Sequence, residues 1–160
     1  MPWANPSPLV LHHGTVDLYV PSILRAINPA VGRHSTDFST GFYTTTNVRQ
    51  ARAHARNLLH RKRSVGARRG VVLTFSVDRN AMAALQLTAF ARPSHDFWEL
   101  VDWCRAGNGS HHAGGFYDIV VGPVSRKPRR TGTHRGYDQV SFHTGSAVQI
   151  LVNPKQQYLR

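Results

Sequence analysis

The chain has 160 residues, 41% of them hydrophobic, and 20 lysines and arginines against eight aspartates and glutamates give a formal net charge of +12. This composition is too apolar for a disordered chain, and the length suits one domain with its own core. No stretch reaches the roughly 18 uncharged apolar residues of a membrane span, and the N-terminus lacks a signal-peptide pattern. We therefore expect a single domain over residues 1–160, with residues 1–8 as a loose leader.

The net charge indicates which classes of partner the protein could bind, and the cysteine content indicates which compartment it suits. A strongly basic surface favours nucleic acids, acidic proteins or anionic cofactors as partners. Arginine outnumbers lysine heavily, and arginine is the better bidentate phosphate ligand, although a GC-rich genome gives the same bias. The single Cys104 allows no disulfide within the chain, which fits a reducing compartment.

The first third of the chain predicts a strand, a short helix and a loop. The apolar run "LVLHHGT" (9–15) ends in His-His-Gly, which is typical of a strand entering a turn. Pro21 suits the first turn of a short helix that ends near Ala26. The segment 28–41 is interrupted by Pro and Gly and is interpreted as a loop.

The segment 47–63, "NVRQARAHARNLLHRKR", gives the clearest helical signal. Its apolar residues recur at helical spacing on one face, and arginines occupy the remaining surface. Asn47 is expected to cap the helix, with Gln50 three residues later as in a capping box. A basic turn follows at 64–70.

The remainder of the chain mixes strands and helices without strict alternation, which favours an α+β fold over a doubly wound sheet. Ser94 and Gly107 are expected to begin and end one amphipathic helix. The predicted segments are strands at 71–77, 85–91, 117–124, 138–144 and 148–152, a helix at 94–107, a basic loop at 125–136 and a short turn or helix at 145–149.

Three polar residues stand beside turns at the ends of predicted strands: His13 in "HHGT", Tyr43 in "GFYTTT" and Gln139 in "DQVSF". Such positions can converge in a cleft. Each has an ordinary structural interpretation when taken alone, as a turn histidine, a core aromatic or a strand-opening glutamine. Strand alternation requires Phe42 and Tyr43 to face opposite ways, so only one of the two can line a pocket.

Four sequence blocks carry a resemblance that extends from Leu9 to Leu151. They are "LHHGT", "STDFSTGFYTTTNVRQARAHA", "YDIVVGPV" and "DQVSFHTGSAVQIL". The chain resembles the histidine-tyrosine branch of the ADP-ribosyltransferase superfamily, and within it the small bacterial DUF3990 group. The resemblance implies two packed, mostly antiparallel sheets in a split core with flanking helices.

The resemblance also implies a site that holds nicotinamide adenine dinucleotide (NAD) in a bent conformation. His13 would hydrogen-bond a ribose, the backbone of Gly14 would reach the nicotinamide amide, and Tyr43 would stack on the nicotinamide ring. Gln139 would bind a hydroxyl of the nicotinamide ribose. The remaining cofactor-binding residues that it implies are Thr15, Arg33, His34 and Thr44, of which Arg33 or His34 would meet the pyrophosphate.

The implied reaction breaks the nicotinamide–ribose bond and transfers ADP-ribose to an acceptor. Many members of the superfamily have glutamate where this chain has Gln139, and a glutamine offers no negative charge, which argues against polymer formation. Asp138 is expected to point to the other face. Small bacterial relatives commonly act as toxins, so the resemblance implies a macromolecular acceptor, an antitoxin or immunity protein, and a cytoplasmic location or delivery into a target cell.

Three alternatives remain open. The same fold supports NAD hydrolysis and RNA 2′-phosphate transfer, for which the many histidines and arginines are suitable. The chain could instead be a basic nucleic-acid-binding module without activity, but the run "ARAHARNLLHRKRSVGARRG" has no aromatic residue among its cations. No metal site is expected, because adjacent histidines in a strand face opposite ways and a single cysteine cannot build a cysteine-rich zinc site.

Overall fold

The structure is a computed structural model that describes residues 7–32, 36–112, 115–126 and 132–160. Arg33 and His34, most of the N-terminal leader and part of the predicted basic loop lie outside these residues. The strands are β1 (Leu9–Val16), β2 (Phe42–Thr44), β3 (Gly70–Val77), β4 (Leu87–Ala89), β5 (Ile119–Ser125), β6 (Thr133–Phe142) and β7 (Val152–Tyr158). The helices are α1 (Val20–Arg25), α2 (Val48–Lys62), α3 (Arg79–Ala83), α4 (His95–Arg105) and α5 (Gly145–Val148).

The strands form two sheets, which confirms the α+β class with a split sheet core. One sheet has three antiparallel strands in the order β1-β3-β7. The other has four strands in the order β2-β6-β5-β4, and only its β4–β5 pair is parallel. Strands β1 and β2 are therefore both edge strands, each with one side left open by its own sheet.

The main core lies between the two sheets. Inward-facing residues of β1 and β3, such as Leu11 and Leu73, pack with Phe42, Ile119 and Phe142 of the other sheet. All five are buried, as expected for apolar residues that alternate with outward ones along each strand. The position of Phe42 in this core confirms the expected division of the Phe-Tyr pair.

A second core covers the other face of the four-stranded sheet. It consists mainly of residues of α4 that pack on Phe38 and Val120. Ser94 caps this helix by accepting a hydrogen bond from the N–H of Phe97, as predicted. The four-stranded sheet is thus covered on both faces, by the other sheet and by α4.

The sequence prediction was wrong for the last strand. Residues 148–152 were expected to form it, whereas Val148 ends helix α5 and the strand is Val152–Tyr158. Every residue of β7 is exposed, so no apolar alternation marks it. It is an edge strand held by backbone pairing to β3, which a hydrophobic pattern does not reveal.

Other strands begin or end a few residues or more from their predicted bounds. Strand β6 begins at Thr133, inside the predicted basic loop, and the predicted strand 85–91 shortens to Leu87–Ala89. Helix α3 was not predicted; Asp78 caps it by accepting from the N–H groups of Asn80 and Ala81. Within the described residues, no helix is long and apolar enough to cross a membrane.

Helix α2 lies against the three-stranded sheet, and Gly14 sets how closely they approach. A Cβ atom at position 14 would overlap the carbonyl oxygen of Ala51 and come within 3.0 Å of the backbone nitrogen of Ala55. Both obstacles are backbone atoms, which cannot move aside as a side chain could. Glycine at position 14 is therefore needed for this helix to pack on β1.

We predict that Gly14→Ala lowers the free energy of unfolding by about 1–3 kcal/mol, the range for an overpacked core site. Gly109→Ala is the control, because nothing lies within 4 Å of the Cβ position there. Urea denaturation of both variants measures the difference. Equal stabilities for the two variants would contradict the packing described for Gly14.

Candidate active site

The two edge strands β1 and β2 meet at one point and then separate. The N–H of His12 donates to the carbonyl of Thr45 at 2.8 Å, and the N–H of Thr45 donates to the carbonyl of His12 at 2.9 Å. Backbone groups alternate in direction along a strand, so the N–H and C=O of Gly14 face the same open edge as those of His12. They lie beyond the bridge, where the two sheets split.

His13 occupies this split as a neutral imidazole. Its Nδ1 lies 2.6 Å from the carbonyl oxygen of Tyr43, and its ring stacks on Phe42 with centroids 4.1 Å apart. Burial lowers the pKa of His13 to about 4, against the smaller opposing effect of the hydrogen bond to Tyr43. A carbonyl oxygen only accepts, so Nδ1 carries the proton and Nε2 is left as an acceptor.

The side chain of Tyr43 turns to the opposite face and organises the loop before it. Its hydroxyl donates to the carbonyl of Ser39 at 2.6 Å, accepts from the N–H of Phe38 at 3.1 Å and lies 2.8 Å from the Thr36 hydroxyl. Burial raises the pKa of the Tyr43 phenol. Ser39 has a φ of 66°, which is unfavourable for a residue with a side chain, so this hydroxyl holds a strained turn in place.

Gln139 lies on the same face of the four-stranded sheet as Tyr43. Tyr43 pairs with Ser141, which is two residues from Gln139 along β6. Gln139 is 7% exposed, and its Nε2 donates to Asp37 at 2.8 Å and to the carbonyl of Pro123 at 2.9 Å. Both N–H groups of the amide are thereby used, so a ligand would meet the carbonyl oxygen Oε1.

Asp37 is the centre of the polar network that fixes Gln139. It is a buried carboxylate that receives Nε and one terminal nitrogen of Arg105 at 2.9 and 2.5 Å. The N–H and hydroxyl of Ser125 also donate to it, at 2.8 and 2.5 Å. A buried charge with a paired guanidinium and further donors is well compensated, so the network is a rigid support for Gln139. Asp37 and Arg105, which are 68 residues apart, were not recognised from the sequence.

Asp138 points away from Gln139, as alternation predicts, and its carboxylate binds Thr45 and Thr46 in the turn after β2. It accepts from the Thr45 hydroxyl at 2.5 Å, from the N–H of Thr46 at 2.9 Å and from the Thr46 hydroxyl. Asn47 caps α2 as predicted, but Gln50 does not complete a capping box, because its amide binds the backbone of Asp138 instead. The threonine-rich corner is therefore fixed to β6.

The other residues implied by the resemblance fall in different places. Thr15 is buried two residues after His13 on β1. Thr44 is buried as well, and its hydroxyl donates to the carbonyl of Val140 at 2.8 Å. Both therefore support the strands beside the split. Arg33 and His34 lie outside the described residues, so their assignment to a pyrophosphate stays a prediction.

The structure brings His13 to the backbone of Tyr43 and places the side chains of Tyr43 and Gln139 on the far face of β2. One ligand that touches all three groups would have to lie across the open edge of β2. On its β1 side, β2 is bridged to β1 at Thr45, and His13 Nδ1 binds the carbonyl of Tyr43. The arrangement suits an extended, bent ligand better than a compact one.

Two buried histidines near Tyr43 were not recognised from the sequence. His111 and His143 lie with ring centroids 4.3 Å apart, and the His143 ring is 6.2 Å from that of Tyr43. Nδ1 of His143 donates to the carbonyl of Thr40, and its Nε2 lies 2.7 Å from the Ser141 hydroxyl. Burial, with the neighbouring His111 as a second cause, lowers the pKa of His143 to about 3. Among the residues described, no three histidine, cysteine or acidic side chains gather as metal ligands would.

Fold and site together define a small α+β protein with a split between two edge strands. Residues 9–131 match the model of a family described as "Protein of unknown function (DUF3990)", and the chain belongs to this family. No curated protein and no solved structure matches the chain. The family match confirms the DUF3990 assignment made from the sequence blocks.

We predict that Tyr43→Phe destabilises the protein by about 1–3 kcal/mol, because it removes the acceptor of the Phe38 N–H and one of the two donors to the Ser39 carbonyl. Limited proteolysis should then cut near residues 36–41 faster than in the wild type. Tyr158→Phe, which removes an exposed tyrosine hydroxyl, is the control. Unchanged protection of residues 36–41 in Tyr43→Phe would refute the role given to the hydroxyl.

We also predict that acid destabilises the protein through its buried neutral histidines. The pKa of His143 is about 3 in the folded protein and about 6.5 in an unfolded chain, so unfolding takes up a proton between these values. The free energy of unfolding should fall by about 1.4 kcal/mol per pH unit for this one group as the pH drops through that window.

His143→Gln keeps one donor and one acceptor and should remove this part of the pH dependence. Denaturant titrations between pH 4 and pH 7 measure the slopes. The same reduction in slope for His60→Gln, which changes an exposed histidine, would contradict the assignment.

Proposed function

We propose that the protein is an NAD-dependent mono-ADP-ribosyltransferase that acts on a macromolecule. The observation that supports this most is the pair formed by His13 and Gly14 at the split. It places a neutral imidazole acceptor beside the N–H and C=O of Gly14, which point away from β3 and are buried in this structure. A carboxamide such as that of nicotinamide carries a complementary C=O and N–H, and a ribose hydroxyl can donate to Nε2 of His13.

Gly14 is buried, so a ligand would reach its backbone N–H and C=O where β1 and β2 move apart beyond the His12–Thr45 bridge. Helix α2 leaves no room for a side chain at position 14, so only backbone atoms of this residue could contact a ligand. Hydrogen bonds from a strand edge are directional and fixed in advance, which is what positioning of a reacting sugar requires. The nicotinamide end of NAD would bind here, with the remainder of the dinucleotide extending across the edge of β2.

Tyr43 and Gln139 would complete the site from the far face of β2. Tyr43 presents a half-buried ring whose hydroxyl is held by the preceding loop, so its orientation is fixed before a ligand binds. Gln139 would accept a hydrogen bond from a hydroxyl of the nicotinamide ribose through Oε1. Arg33 or His34 would contribute charge-assisted donors to the pyrophosphate.

The reaction breaks the bond between nicotinamide and C1′ of the ribose. Nicotinamide leaves with the bonding electron pair, positive charge develops on the ribose, and a nucleophile of the acceptor attacks C1′ and releases its proton to solvent. Gln139 is neutral, so it positions the sugar without offsetting that charge. Transfer of a single unit fits this chemistry better than chain growth.

The biological role proposed with this activity is that of a bacterial toxin or effector with a neutralising antitoxin or immunity protein. Hydrolysis of NAD and RNA 2′-phosphate transfer are the alternatives on the same site, since water or a phosphate could take the place of the acceptor. A binding module without catalysis is the third. The high positive charge fits a nucleic acid or an acidic protein as acceptor in each case.

The test is release of nicotinamide from NAD, followed by chromatography, with and without added bacterial RNA, DNA and lysate protein. His13→Ala should reduce release by about 10²–10³-fold, the usual effect of losing one positioned hydrogen-bonding group. His12→Ala is the matched control, because this neighbouring imidazole binds the Thr74 hydroxyl instead of Tyr43.

The fate of the label separates the alternatives. Adenine-labelled NAD should yield label in a protease- or nuclease-sensitive product for a transferase, and free ADP-ribose alone for a hydrolase. Equal activity of His12→Ala and His13→Ala, or no release by the wild type under any condition, would overturn the proposal.

A further inference from the structure

A basic groove lies apart from the split, where the end of α2 and the turn after it meet the ends of β3 and β7. It has a volume of about 320 Å³, and Leu59 and Leu159 form part of its wall. Five arginines line it, all of them exposed: Arg56, Arg63, Arg68, Arg69 and Arg160.

These arginines have no acidic partners among the residues that the structure describes. The salt bridges found there join His95 to Glu99 and Arg105 to Asp37, both elsewhere in the fold. Asp17 is close, but its carboxylate accepts from the backbone N–H of Arg68 at 3.0 Å and so fixes the backbone. A groove lined by five arginines that form no salt bridge in the described residues attracts a polyanion.

Tyr158 lies beside this groove and contacts one of its lining residues, Arg69, without lining the groove itself. The β3–β7 register places Tyr158 opposite Val71, next to Arg69. The guanidinium carbon of Arg69 lies 4.6 Å from the centroid of the Tyr158 ring, and Tyr158 is 42% exposed. Arginines together with an exposed aromatic ring are the combination by which proteins bind phosphates and stack bases of single strands.

We propose that this groove binds single-stranded nucleic acid, with the arginines on the phosphates and Tyr158 stacked on a base. A duplex would offer the phosphates but not the faces of its bases. An acidic peptide would use the charges and leave the Tyr158 ring without a partner. The inference deepens the proposed function, on which it rests for the identity of the acceptor: it selects nucleic acid over protein.

The position of the groove suits an acceptor-binding surface. Helix α2 runs from the split to the groove: Ala55 packs beneath Gly14, and Arg63 follows eight residues later, about 12 Å along a helix. A strand held in the groove could therefore extend along α2 toward the candidate active site. The groove itself contains none of the residues assigned to NAD.

The test is fluorescence anisotropy with a labelled 12-nucleotide single strand, as RNA and as DNA, at several salt concentrations. Arg63→Gln/Arg69→Gln removes two cations of the groove; Arg25→Gln/Arg92→Gln removes two exposed cations elsewhere and is the matched control. Each lost phosphate contact should lower the slope of log K against log salt by about 0.7, and affinity at 0.1 M salt by about fivefold. The groove variant should therefore bind about 25-fold more weakly, with a slope smaller by about 1.4.

Tyr158 and the competing partners give independent readouts. Tyr158→Leu should weaken binding of the single strand and Tyr158→Phe should not, because stacking needs the ring and not the hydroxyl. The hybridised duplex and polyglutamate should bind more weakly than the single strand. If thermal melting shows that Arg63→Gln/Arg69→Gln does not fold, Arg56→Gln/Arg160→Gln takes its place.

Several results would overturn the inference: no binding of the single strand, equal losses in the groove and control variants, no difference between Tyr158→Leu and Tyr158→Phe, or preference for the duplex or polyglutamate. None of these binding measurements uses NAD. Binding of the single strand without release of nicotinamide would contradict the proposed function but support the binding groove. Release of nicotinamide without binding of the single strand would support the proposed function but contradict the binding groove.

Discussion

The two backbone hydrogen bonds between His12 and Thr45 are the link on which the candidate site depends. They hold the edge strands of two different sheets together at one pair of residues, and the strands separate beside it. Edge strands normally expose unpaired backbone groups, which proteins cover or use for binding. Here the N–H and C=O of Gly14 point away from β3 beside the imidazole of His13, and Gly14 is buried. The edge of β1 therefore holds a set of fixed donors and acceptors.

The surroundings of this link are fixed by polar contacts that are distant along the chain. Asp138 ties the Thr45–Thr46 corner to β6, and Asp37 ties the loop before β2 to Arg105 of α4. Both aspartates use carboxylate oxygens to gather several donors at once, which is why single residues can position whole loops. His13 itself is held by one hydrogen bond and one stacked ring.

Much of the fold followed from local sequence signals. Asn47 and Ser94 cap their helices as expected, and the apolar runs at 9–15 and 71–77 correctly predicted strands β1 and β3. Strand β7 was misplaced because an exposed edge strand is specified by pairing with β3 and not by its own side chains. A hydrophobic pattern in the sequence indicates which residues are buried, and no residue of β7 is buried.

The site was only partly accessible to the same reasoning. The sequence blocks led to His13, Tyr43 and Gln139, and alternation correctly separated Phe42 from Tyr43. Asp37, Arg105 and His143 were missed, because a polar network has no period along the chain and its members come together only in the fold. Tyr158 was missed for the same reason: it lies 89 residues beyond Arg69 in the sequence and beside it in the structure.

The most direct measurement of the central claim is imidazole ¹⁵N NMR of His13 during a pH titration, with and without NAD. We expect a neutral ring protonated on Nδ1 down to a pH near 4, as burial and the carbonyl of Tyr43 require. We also expect NAD to shift the signals of Nε2 of His13 and the backbone amide of Gly14. A ring that titrates near pH 6.5, or NAD that leaves both signals unmoved, would contradict it.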